Sequence, residues 1–200
     1  MRISVTAIDS LRYLLSTDKT LDEILADMRG EVEATDAMKA GQAFHQILEY
    51  PPSEELDVVE CDGYRFEFAV EGEIALPPIR ELKAELPLTV RGIPVTLVGK
   101  VDGLHGKRVD DHKLTGSFSA EKYMDAFQWR AYLHAFNGDS FRYNVFTASQ
   151  IKSSDIPTYR VRHFDQLTFN RYIGIERDVM RMLTDYVDFC CDYLPEKVAA

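Results

Sequence analysis

The chain has 200 residues, with 33 Asp and Glu against 23 Lys and Arg and a formal net charge of −10. That length suits one domain with a sizeable core, and the hydrophobic content of 46% is ordinary for a globular protein. No run approaches the roughly 20 apolar residues of a membrane span, Arg2 is followed by no signal-like apolar region, and three cysteines make no even disulfide framework, so a cytoplasmic protein without a membrane partner is expected.

The acidic excess is uneven. Residues 1–60 hold five Lys and Arg against 13 Asp and Glu, whereas the remaining 140 hold 18 against 20. A local basic groove is therefore compatible with the net charge, with Lys100, Lys107, Arg108, Lys113, Lys122 and Arg130 as its candidates.

In chain order, Thr20 and Glu23 form a capping box ahead of an apolar stripe at Leu21, Ile24, Leu25 and Met28, and Gly30 closes that helix. A second helix is expected from about Thr35 to Tyr50, stopped by Pro51-Pro52. On it, Met38, Gly41, His45 and Leu48 share a face that reads as core-facing, and Gly41 suggests a close backbone approach. Residues 56–76 alternate as strands, and a strand pair over roughly 85–101 breaks at Gly92. Residues 107–113 make a further strand. Ser119 is the expected N-cap of a helix of about five turns, closed by Asn137-Gly138. Phe141, Tyr143 and Val145 alternate as a strand, Tyr159 and Val161 suggest another, and a long amphipathic helix is expected from about Leu167 to Tyr193. The domain layout expected is 1–34 as an N-terminal helical segment, 35–165 as core and 166–200 as a C-terminal helix.

The chemistry concentrates between Gly99 and Lys113, which reads GKVDGLHGKRVDDHK. It places Asp102 and Asp111 on adjacent strands, with Lys113 on the same face as Asp111 because strand side chains alternate. Two converging carboxylates hold a hard divalent cation, and a nearby lysine adds positive charge where a phosphodiester transition state becomes more anionic. Asp110 and His112 face the other way. His45, as a neutral imidazole, is a good ligand for a manganese-like ion, with Glu49 one turn on as an outer partner. On the later helix Gln128 and Tyr132 share a face. They either flank a core stripe of Met124, Phe127, Ala131 and Ala135, or turn an amide and a phenol to the cleft.

Four pieces occur in order: G-x-x-F-H-x-x-L-E (Gly41 to Glu49), G-K-V-D (Gly99 to Asp102), D-H-K (Asp111 to Lys113) and Q-x-x-x-Y (Gln128 to Tyr132). Together, over about residues 38–145, they resemble the PD-(D/E)XK nuclease superfamily, its RecB-like and phage-exonuclease branch most of all. The resemblance implies an α/β restriction-endonuclease-like core, a mixed central sheet flanked by helices in the order α-β-β-β-α-β, with extra helices at both ends. It implies His45, Asp102, Asp111 and the carbonyl of His112 as ligands of Mg²⁺ or Mn²⁺, and Asp102, Asp111 and Lys113 as the catalytic set. Gln128 and Tyr132 would contact the DNA substrate, and Glu85 would be a further acidic contributor. Leu114 stands where many relatives have threonine. Cys61, Cys190 and Cys191 cannot supply an iron–sulfur cluster. The activity implied is a metal-dependent deoxyribonuclease, an exonuclease in DNA recombination or processing, working as a homo-oligomer or with a recombination partner. The alternatives are an inactive nuclease-fold subunit that binds DNA, and an acidic DNA-mimic inhibitor.

Overall fold

The computed structural model describes residues 1–52, 56–70, 76–152 and 154–199. Its elements are β1 (Arg2–Ser4), α1 (Val5–Leu15), α2 (Leu21–Arg29), α3 (Asp36–Glu49), β2 (Val58–Cys61), β3 (Tyr64–Phe68), β4 (Ile79–Val90), β5 (Ile93–His105), β6 (Arg108–Thr115), α4 (Ala120–Met124), α5 (Phe127–Ala135), β7 (Ser140–Ile151), β8 (Thr158–Asn170), α6 (Ile175–Tyr193) and α7 (Pro195–Val198). The strands form one sheet in the order β1-β5-β6-β7-β8-β3-β2, with β4 also beside β5. Pairs β1/β5, β6/β7 and β3/β8 are parallel and the others antiparallel. This is the expected mixed α/β class, a central mixed sheet flanked by helices. The core order is carried by α3, β4, β5, β6, α5 and β7, with the β2–β3 hairpin following α3. Among the described residues no helix is long and apolar enough to cross a membrane.

Alternation assigns the two faces. Phe141, Tyr143 and Val145 of β7 join Val95, Leu97 and Val101 of β5 under α1, α5 and α6. The opposite face carries Phe66, Phe146 and Val161, covered by Ala43, Phe44, Ile47 and Leu48 of α3. Phe44 is fully buried, its ring 4.9 Å from that of Phe146 and 5.4 Å from that of Phe66. Burial of a side chain that size contributes about 1.5–3 kcal/mol.

Two-residue turns set the registers. Asp62-Gly63 and Arg91-Gly92 both hold positive φ at both positions (48° and 79°; 53° and 80°), the geometry that matches strand twist. The β5–β6 turn is Gly106-Lys107, since His105 pairs with Arg108.

This short hairpin creates the feature on which the site depends. β4 runs along one edge of β5 from Ile93 to Leu104. The other edge is shared: β1 covers Thr96 to Val98, and β6 covers Gly103 to His105. Gly99 to Asp102 therefore have no strand on that edge, and β5 and β6 fork apart at Asp102 and Asp111.

Several expectations change. The apolar stripe of α3 is Ala40, Ala43, Phe44, Ile47 and Leu48, so Met38 is exposed and His45 sits on its flank. A Cβ on Gly41 would meet nothing within 4 Å, so no close approach explains that glycine. The helix expected after Ser119 is two helices, because Ala126 is extended (ψ 142°) and α5 starts afresh. The strand pair starts at Ile79 and runs to His105, beyond the expected bounds. β8 continues to Asn170, paired with β7 throughout, and the last long helix starts only after Gly174 (φ 95°). Of the stretch 56–76, residues 71–75 lie outside the described ones.

Candidate active site

At the fork, α3 reaches in from one face of the sheet and α5 from the other. His45 Nδ1 lies 3.3 Å from Asp102 Oδ2. The same oxygen accepts the His112 backbone N–H at 2.6 Å, a donor freed because β6 has left β5. Asp111 is buried and faces α5, where Gln128 Nε2 donates to its Oδ1 at 2.8 Å. Lys113 Nζ stands 2.8 Å from Asp111 Oδ2 in an ion pair, and no neutral donor reaches this buried oxygen.

The charges are unevenly met. Burial pushes the Asp111 carboxyl up to about 6; Lys113 opposes that rise, and Asp102 adds to it. At Asp102 burial acts the same way, but the hydrogen bond and charge of His45, with help from Lys113, outweigh it and lower the pKa. His45 is raised: burial works against its charge, and Asp102 overcomes that. Burial also disfavours the Lys113 ammonium, yet Asp111 and Asp102 raise it above the usual lysine value.

The structure thus brings His45 to Asp102, and Lys113 and Gln128 to Asp111. Among the described residues it does not gather three His, Cys, Asp or Glu side chains into a ready metal-binding group. The donor set nevertheless fits a hard divalent cation. It offers two carboxylates and an imidazole, and one buried carboxylate oxygen meets the Lys113 ammonium but no neutral donor.

Gln128 and Tyr132, expected at the DNA, are both buried. Gln128 is spent on Asp111, and the Tyr132 hydroxyl donates to the Lys100 carbonyl at 2.9 Å in the uncovered stretch of β5. A Cβ on Gly99 would come within 2.3 Å of Tyr132 Cε1, so the two motifs interlock: the glycine makes room for the ring. These residues brace the site and do not line it.

Glu49 sits at the far end of α3, half-buried beside the exposed Tyr50. Glu85 lies opposite Val98 on β4, exposed and ion-paired with Arg2, away from the fork. The acid nearer the fork is Glu81, which carries φ 58° where the β4–β5 register skips and pairs with Lys100. The His112 side chain faces away, its Nδ1 3.3 Å from Asn144 Nδ2, and burial lowers its pKa to about 4. The expected groove of free cations is largely paired: Lys100 with Glu81, Lys107 with Asp139, Arg108 with Asp110 and Lys113 with Asp111. Arg130 stacks on Trp129 and bonds the carbonyls of Met124 and Ala126. Sequence reasoning missed Glu81, which lies in no motif.

No protein-family model and no curated protein sequence matches the chain. Among solved structures it is similar to the crystal structure of SSO0001, with a TM-score of 0.56 at 14% identity over 94% of this chain and 76% of that one. LHK-Exo, an alkaline exonuclease from Laribacter hongkongensis solved in complex with dAMP, gives a TM-score of 0.46 at 10% identity over 98% and 93%. A phage related exonuclease from Haemophilus somnus 129PT gives 0.43 at 11% over 96% of each chain. At such identities a likeness speaks to fold alone, and only the first is strong enough to support the mixed-sheet arrangement.

Proposed function

We propose that the chain is a metal-dependent deoxyribonuclease of the PD-(D/E)XK type that hydrolyses phosphodiester bonds, acting as an exonuclease in DNA recombination or processing. The observation that carries this reading is Asp111: a buried carboxylate with the Lys113 ammonium on one oxygen and no neutral donor there, facing the Asp102–His45 pair across a strand fork.

Asp102, Asp111, His45 and the His112 carbonyl are the groups to hold Mg²⁺ or Mn²⁺. When bound, the ion lowers the pKa of water and neutralises phosphate charge. Lys113 supplies a fixed positive charge beside Asp111, where a pentacovalent phosphate gains negative charge. Gln128 keeps the Asp111 carboxylate from rotating. Tyr132 holds the Lys100 carbonyl and hence the uncovered stretch that leads into Asp102. Beside that stretch a cavity of about 440 Å³ has Arg2, Ser4, Thr6, Lys83, Glu85 and Lys100 among its lining residues. With Arg2 paired to Glu85 and Lys100 to Glu81, its hydroxyls and Lys83 suit the sugar–phosphate backbone of a strand entering the fork.

Linear duplex, linear single strands and covalently closed circles incubated side by side with Mn²⁺ test the proposal. Degradation of the linear substrates, stopped by EDTA, with survival of the circle is expected. Rapid cutting of the circle would make the chain an endonuclease. Failure to cut any substrate with either ion would remove the nuclease reading.

A further inference from the structure

α5 begins without a cap of its own. Ala126 precedes it and offers no side-chain acceptor, which would leave the first amides of the helix unpaired. A single carboxylate on another helix takes both. Phe127 N donates to Asp9 Oδ1 at 2.6 Å, and Gln128 N donates to Asp9 Oδ2 at 2.9 Å, across 118 and 119 residues of sequence. Arg12 lies one turn further along α1, 3.9 Å from Oδ1.

A serine or aspartate at position 126 would cap α5 locally, accepting from its second or third amide. What a clamp from α1 adds is placement. Gln128 offers its backbone N–H to Asp9 and its side-chain amide to Asp111, so one residue joins the two carboxylates. Burial raises the Asp9 pKa, opposed by the amides of Phe127 and Gln128 and by the charges of Arg12 and Lys113. α1 is in turn anchored by β1, which pairs with β5 just before the uncovered stretch. A shift at the start of α5 would pull the Gln128 amide off Asp111, and small misplacements of supporting groups have large effects on rate.

We infer that Asp9 is a positioning residue of the active site, clamping the first two amides of α5 so that Gln128 fixes the orientation of Asp111. This rests on the nuclease reading above.

The test is a double-mutant cycle of Asp9→Ala and Gln128→Ala, read by cleavage of linear DNA with Mn²⁺, by Mn²⁺ affinity and by amide hydrogen exchange. Each single variant should lower kcat about 10- to 100-fold, with KM for DNA nearly unchanged and Mn²⁺ binding weakened in step. The double variant should fall no further than the worse single, because both act through one contact. The amides of Phe127 and Gln128 should lose protection in Asp9→Ala and keep it in Gln128→Ala. Asp9→Asn, which retains one acceptor oxygen, should recover part of the rate, and it carries the cycle if Asp9→Ala does not fold. An unchanged kcat, losses that multiply in the double variant, or Mn²⁺ affinity unaffected by Asp9→Ala would overturn the inference. A wild-type chain that cuts nothing would sink the nuclease reading, while exchange and Mn²⁺ affinity would still decide whether Asp9 positions Asp111.

Discussion

Asp110 and Asp111 are neighbours on β6, both buried, and they point to opposite faces of the sheet. Asp110 is gripped by two guanidinium groups: Arg108 Nε and Arg142 Nε each lie 3.0 Å from its Oδ1, and further bonds reach Oδ2. The polar surroundings on that face continue closed, with the Asn144 carbonyl oxygen accepting from Gln166 and its amide 3.3 Å from His112. Asp111 has a single ammonium on one oxygen, one amide on the other, and a carboxyl pushed up to about 6. Burial alone therefore does not mark a working carboxylate. A saturated one holds strands together; an under-compensated one is ready for an incoming positive charge.

The largest effect should come from separating the two. Asp110→Ala leaves Arg108 and Arg142 without their shared partner and should cost about 3–5 kcal/mol of stability, measured by urea unfolding. Asp111→Asn removes a poorly compensated buried charge and should leave the unfolding midpoint unchanged or raised. Equal destabilisation by both would erase the distinction. Next in size, Lys113→Ala should slow cleavage about 10²- to 10³-fold while DNA binding by the same variant persists. Near wild-type turnover would deny Lys113 any part in the chemistry.

The difference also has a pH signature in EDTA. The folded value of about 6 at Asp111 lies above its ordinary 3.8, so this group's stabilising contribution is full below pH 4 and is lost as pH rises through 6. Melting temperatures of wild type relative to Asp111→Asn should therefore decline over that window, and Mn²⁺ should offset the decline at neutral pH. A flat difference would mean that burial does not disfavour the charge. The smallest of these effects is Gly99→Ala, whose methyl would collide with Tyr132 and should cost about 1–3 kcal/mol. A crystal structure of that variant with Tyr132 unmoved would refute the interlock.

Local signals were readable where their partners are local. The capping box at Thr20 and Glu23, the stop at Gly30 and the start of the second helix at about Thr35 all stand where the sequence places them. The strands carrying Asp102 and Asp111 are likewise adjacent. What could not be read depends on distant partners. β1 has three residues, too few for alternation to show, and exists because β5 offers it an edge. Glu85 looked available until Arg2, 83 residues away, took it. The break before α5 has no sequence signal because its amides are satisfied by Asp9 from another helix. Residues 166–170 resemble the start of an amphipathic helix, and pairing with β7 makes them strand. The burial of Gln128 and Tyr132 follows from the fork, which no spacing encodes.

The central claim is that the Asp111 face of β6, and not the Asp110 face, carries the chemistry. Its most direct test is the initial rate of Mg²⁺- or Mn²⁺-dependent release of nucleotides from linear DNA by wild type and Asp111→Asn under one set of conditions. Cleavage by wild type that EDTA stops, with a loss of about a thousandfold or more in a variant that melts no lower than wild type, is the result expected. Cleavage by Asp111→Asn at the wild-type rate would contradict it.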